Sequence, residues 1–148
     1  MSGFQTDLLS GLASYLSLAG VGITWSPLGS YRPLQTGVVL GNVPQSPDRI
    51  VTLTAYGISD SPNLSTSVIG VQVRCRWEGE DKRPSDDLTD AIFNLLHGMT
   101  NTTLSTDVQV VQCLRISGPA SLGQDDNRRW ANSSNYAVTV SRPSANRT

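Results

Sequence analysis

At 148 residues the chain is long enough for one domain with a substantial hydrophobic core. Hydrophobic residues make up 38%, charged residues only 16%, and the formal net charge is −1. The chain therefore has no global basic field, which argues against a sequence-reading DNA binder.

Residues 4–21 are apolar only in patches, because Gln5, Asp7, Ser10, Ser14 and Ser17 interrupt them, and they lack a basic start. Neither a signal peptide nor a membrane span is expected, and no membrane partner. Without an export signal, Cys75 and Cys113 are expected as free thiols. The sequons at Asn63, Asn101, Asn132 and Asn146 then read as chance matches in a chain rich in Ser and Thr. Leu8, Leu9, Leu12, Ala13 and Leu16 recur at helical spacing, so a first helix is predicted over 5–18, capped by Ser2 or Thr6 and stopped by Gly20.

A short strand is expected over 22–25. Residues 26–46 are rich in Pro and Gly and predict an extended arm, interrupted by the apolar run 37–40. Residues 49–56 form a firmer strand, and 57–65 a turn region. The clearest strand is 67–78: Ile69, Val71, Val73, Cys75 and Trp77 share one face, and Gln72, Arg74 and Arg76 the other. A second helix is predicted to begin at Ser85, with Asp86 and Asp87 in its first turn and Leu88, Ala91, Ile92, Leu95, Leu96 and Met99 as its buried stripe. Strands over 107–117 and 135–141 complete the order. The fold class expected is α+β, a single mainly antiparallel sheet with both helices on one face.

Little catalytic chemistry is visible. His97 is the only histidine and closes the second helix, where an imidazolium would suit the dipole. Two distant cysteines and one histidine give no zinc spacing. Asp125 to Asn127 lack the alternating ligands and glycine of a calcium loop. Helix capping explains Asp86, Asp87 and Asp90, and an exposed turn explains Glu78, Glu80 and Asp81. No cofactor, metal or enzymatic activity is expected.

Arg74 and Arg76 either solvate an open sheet face or meet acids of a neighbouring subunit or DNA phosphate. The stretch "LGQDDNRRWANSSNY" lies in a predicted hairpin loop over 118–134, far longer than a hairpin requires. Asp125, Asp126, Arg128, Arg129 and Trp130 combine paired charges with an aromatic anchor, the chemistry of a protein interface. The alternative is a solvated loop whose Trp packs on its own core.

The ending "LG-x-D-[DE]-x-x-R … NY-x-V-x-V" resembles the last hairpin of phage minor capsid or tail terminator proteins, small proteins of long non-contractile-tailed phages. The residues that match are Gly123, Asp125, Asp126, Arg129, Asn135 and Tyr136. The leucine-striped first helix, "RCRWEGED" and "PSDDLTDAIFNLLHG" follow the same layout. The resemblance implies a structural virion protein at the head–tail junction, assembled in the host cytoplasm as a homohexameric ring. Such a ring caps the tail tube protein, docks to the head-completion protein and lets DNA pass through its lumen without sequence-specific binding. Rival readings are a head–tail connector on the capsid side, a small hydrolase or nucleotide-binding enzyme, and a monomeric peptide-binding module with an open sheet edge.

Overall fold

The computed structural model describes residues 2–148. Helix α1 (Phe4–Ser17) leads into β1 (Ile23–Thr24), β2 (Thr36–Leu40), β3 (Ile50–Asp60) and β4 (Thr66–Glu78). Helix α2 (Arg83–Leu96) follows, then β5 (Met99–Thr103), β6 (Gln109–Gln124) and β7 (Arg129–Ser141).

The leucine stripe of α1 is buried as its spacing requires. Its cap differs from the expectation: Gly3 stands at the N-cap without a side-chain bond, and the Ser2 hydroxyl donates instead to the Asp7 carboxylate. Helix α2 starts two residues before the predicted Ser85, because Pro84 tolerates the first turn, where no N–H partner is needed. The Ser85 hydroxyl donates to the Lys82 carbonyl at 2.8 Å.

All seven strands form one sheet in the order β1-β2-β3-β4-β7-β6-β5. From β3 to β5 the pairs are antiparallel, as expected. The β1–β2 and β2–β3 pairs are parallel, so the sheet is mixed. The parallel end arises because residues 41–49 carry the chain back to the start of β3 as an extended crossing stretch. Strand β5 escaped the sequence pattern: in "MTNTT" only Met99 is buried, and pairing with β6 supplies the order.

The expected long loop at 118–134 does not exist. Strands β6 and β7 continue toward each other, leaving only residues 125–128 between them. The extra length is ladder, with register shifts between Val110 and Gln112 and again along 115–123. Polar residues and Gly118-Pro119 hid this stretch, since residues 116–122 are exposed on both faces and carry no alternation.

Both helices share one core with a single face of the sheet. Leu8, Leu12 and Leu16 of α1 and Leu88, Ile92 and Leu96 of α2 belong to one cluster with Val71, Val73, Cys75, Val138 and Val140. The opposite face carries no helix. There the Tyr56 ring lies over Gly70, where any Cβ would stand 2.2 Å from it, and its hydroxyl donates to Asn135 Oδ1 at 3.1 Å.

Two outcomes follow from this core. Ile92→Asp places an unpartnered carboxylate in a site 1% exposed, and denaturant unfolding is expected to lose several kcal/mol. Burial pushes the Cys75 and Cys113 thiols from the usual 9.0 up to about 12. Because the folded values are raised, the contribution of the two thiols to stability is fully present below pH 9 and is lost as pH climbs toward 12, where only the unfolded chain readily forms thiolate. Midpoint denaturant measurements from pH 8 to 11 check this. Native protein is expected to resist alkylation and unfolded protein to take two labels.

Candidate assembly surfaces

Strands β4 and β7 bring two arginines to the helix-free face at one end of the sheet. Register pairs Arg76 with Ala131 and Glu78 with Arg129, so the two side chains are diagonal neighbours. Both are buried, with 3% and 5% exposure. A buried guanidinium must find acceptors for its donors, and the crossing stretch provides them. Arg76 donates from Nε to the Asp48 carbonyl at 2.9 Å and from Nη2 to the Pro47 carbonyl at 2.6 Å. Arg129 donates from Nη1 to the Gln45 carbonyl at 2.6 Å and from Nε to Asp125 Oδ2 at 2.8 Å, with Asp48 Oδ1 a further 3.5 Å ion-pair partner.

The result is a clamp holding the end of the arm against the sheet. Burial and then the Arg129 charge draw Arg76 below its usual pKa, opposed by Asp125 and Asp48. For Asp125, burial resists ionisation, but hydrogen bonds from Arg129 and Asn127 outweigh it and hold the carboxyl below its usual range.

The hairpin tip is built by the same aspartate. Asp125 Oδ1 accepts from the Asn127 and Arg129 amides, an Asx turn, and Arg128 takes a left-handed φ of 60°. Arg128 points to solvent and pairs with Glu80 at 2.7 Å, while Asp126 is exposed without an ion pair among the described residues. The predicted cluster thus divides. Arg76, Arg129 and Asp125 serve their own chain, while Asp126 and Arg128 are presented outward.

Trp130 is half-buried on the helix face opposite Trp77, so it is a strand residue and not a loop anchor. Arg74 is half-buried on the helix-free face beside Thr52 and Ser133, with no ion pair among the described residues. His97 lies at the helix end where its sequence position puts it, and its Nδ1 accepts the Arg115 amide at 3.0 Å.

Sequence reasoning missed Asp48 and Gln45, since an arm carries no periodicity to say what it touches. It also missed Tyr31, whose hydroxyl accepts from the Ser26 amide at 2.9 Å and donates to the Val38 carbonyl, closing the arm on itself. The Tyr31 ring rests on Gly37, where a Cβ would stand 2.5 Å away.

A family model described as bacteriophage tail terminator protein matches residues 15–142. The chain belongs to this family. The fold is also similar to that of a chain in the solved virion of a native gene transfer agent particle. That likeness has a TM-score of 0.55 at 12% identity, covering 94% of this chain and 98% of the other. No curated protein matches. The terminator chain is thus a structural phage tail protein of the virion, and no helix among its described residues is long and apolar enough to cross a membrane.

Neighbouring arginines of this terminator are expected to behave differently. Arg129→Ala removes the contacts to Asp125, Asp48 and the Gln45 carbonyl from a buried position, and is expected to cost about 2 kcal/mol and admit thermolysin near Val43. Arg128→Ala removes only an exposed pair and is expected to cost less than about 1 kcal/mol. Acid acts in the direction of the Asp125 shift: its contribution is present above the ordinary 3.8 and is lost as pH falls through the depressed value. Unfolding midpoints and proteolysis rates compare the two variants.

Proposed function

We propose that the protein assembles into a six-membered ring that caps the tail tube and joins it to the head-completion protein, with DNA passing through the lumen. The observation that carries this reading is the family match across residues 15–142. The sheet supports it: one edge is the two-residue β1 and the other is β5 with the uncovered part of β6. Unlike edges favour heterologous contact between copies, which closes into a ring when the rotation permits. The virion is the site of action and assembly takes place in the host cytoplasm.

In this ring the helix-free face bearing Arg74 and Gln72 is the polar surface suited to passing phosphate, and the exposed hairpin tip, Asp126 with Arg128, docks the tube or the head. Arg is suited to either carboxylate or phosphate. The head-side connector reading is the second one, and the same tip serves it.

The test is assembly in extracts lacking the native protein. Added wild type is expected to yield tails of uniform length that join heads, whereas its absence leaves overlong, unjoined tubes. The double variant Asp126→Arg, Arg128→Asp is expected to fold normally and to lower joining about thirtyfold, the effect of losing one contact of about 2 kcal/mol. Wild type that joins heads without limiting tube length would transfer the role to a head-side connector.

A further inference from the structure

The helix-free face carries one cation that the fold leaves unused. Arg74 stands within the β4–β7 ladder, with Thr52 beside it on β3 and Ser133 on β7. Its neighbours Arg76 and Arg129 take the acceptors of the arm and the hairpin tip. Arg74 makes no ion pair and no side-chain hydrogen bond among the described residues. Its Nε is buried without a partner, while Nη1 and Nη2 remain open to solvent. The Thr52 hydroxyl is likewise buried and unpartnered, in a residue 3% exposed.

Charge on this face does not balance. The guanidiniums of Arg74, Arg76 and Arg129 stand against only the carboxylates of Asp48 and Asp125, which leaves one positive charge over. Both carboxylates are engaged by Arg129. The polar side chains that border Arg74, on Thr52, Thr54, Gln72, Ser133 and Asn135, include no acid. A guanidinium and a hydroxyl that both lack an acceptor favour an oxyanion, whose lone pairs meet the planar fork of N–H donors. The same surplus of positive charge repels a metal cation.

We infer that Arg74, flanked by the hydroxyls of Thr52 and Ser133, seats one phosphate oxyanion of a DNA backbone. The inference deepens the ring reading above, which supplies the passing duplex, and names the side chains that meet it. One seat in each copy places a single level of cations around the duplex. Such contacts hold the backbone and read no base.

The experiment uses full-length wild type, Arg74→Gln and Arg83→Gln, each checked by circular dichroism and by mass from light scattering. Arg83 lies at the start of α2 with its side chain 85% exposed, and its change alters net charge equally. Binding of a short labelled DNA duplex is followed by fluorescence anisotropy across a salt series. Wild type is expected to bind in the non-specific range, with Kd about 10⁻⁴–10⁻⁶ M, whatever the sequence. Arg74→Gln is expected to bind about tenfold more weakly, with a salt slope smaller by about one for each contact removed. Arg83→Gln is expected to match wild type. Arg74→Gln that binds as tightly as wild type would overturn the seat. So would an equal loss in Arg83→Gln, which marks an effect of net charge alone. Inorganic phosphate that displaces the duplex at an equal concentration of phosphate groups would overturn the DNA backbone as the ligand. Wild type that stays monomeric yet binds through Arg74 overturns the ring reading alone, and rings that ignore the duplex overturn the seat alone.

Discussion

The antiparallel ladder between β4 and β7 is the constraint on which the remaining structure depends. It runs without a register shift from Thr66 opposite Ser141 to Glu78 opposite Arg129. Because side chains alternate along it, one unbroken register decides what reaches each face along its whole length. Val71, Val73, Val138 and Val140 go to the helices, and Arg74, Arg76, Arg129 and Ser133 to the other side. Helix α2 is set on the ladder by Asn132, whose amide donates to the Ser85 carbonyl at 3.2 Å and whose oxygen accepts from Thr89. A shift of one residue would put two arginines into the core.

What the ladder positions, the clamp uses. Two cations side by side under the arm would repel each other, yet carbonyls of Gln45, Pro47 and Asp48 with the carboxylates of Asp48 and Asp125 surround them. A stretch with no secondary structure of its own is thereby tied to the sheet. The clamp ties together three separate parts of the chain: the arm, the middle ladder and the hairpin tip. Surfaces held in this way lose less conformational freedom when they meet a partner, which favours association.

Much of this was legible in the sequence, and the limits have physical causes. Strong periodicity located both helices and the strand over 67–78, because burial of one face is what creates periodicity. The alternation at 136–140 likewise marked β7, but only its second half, since Arg129 to Asn135 carry polar residues into buried positions. The hairpin loop was overestimated for that reason: Ser134, Asn132 and Arg129 are buried by pairing and hydrogen bonding, not by hydrophobicity. Family resemblance rested on Gly123, Asp125, Asp126, Arg129, Asn135 and Tyr136, and the family match agrees with it. The division within that cluster was not legible. Arg128 and Arg129 are adjacent and alike in composition, and only the alternation of β7 with the position of the arm sends one outward and the other inward.

The clamp also restricts how such a chain can drift. Arg76, Arg129, Asp48 and Asp125 share acceptors and charge, so their effects are coupled and do not add. A change at one of the four leaves a charge without its counterpart, and a later change at another can relieve it. These positions would therefore be exchanged as a group among relatives, the two buried arginines by apolar residues and the two exposed aspartates by uncharged polar ones. The tip residues Asp126 and Arg128 are free of that bond and would vary with whatever they touch. A lineage could thus alter the partner its hairpin meets while the frame beneath it remains unchanged.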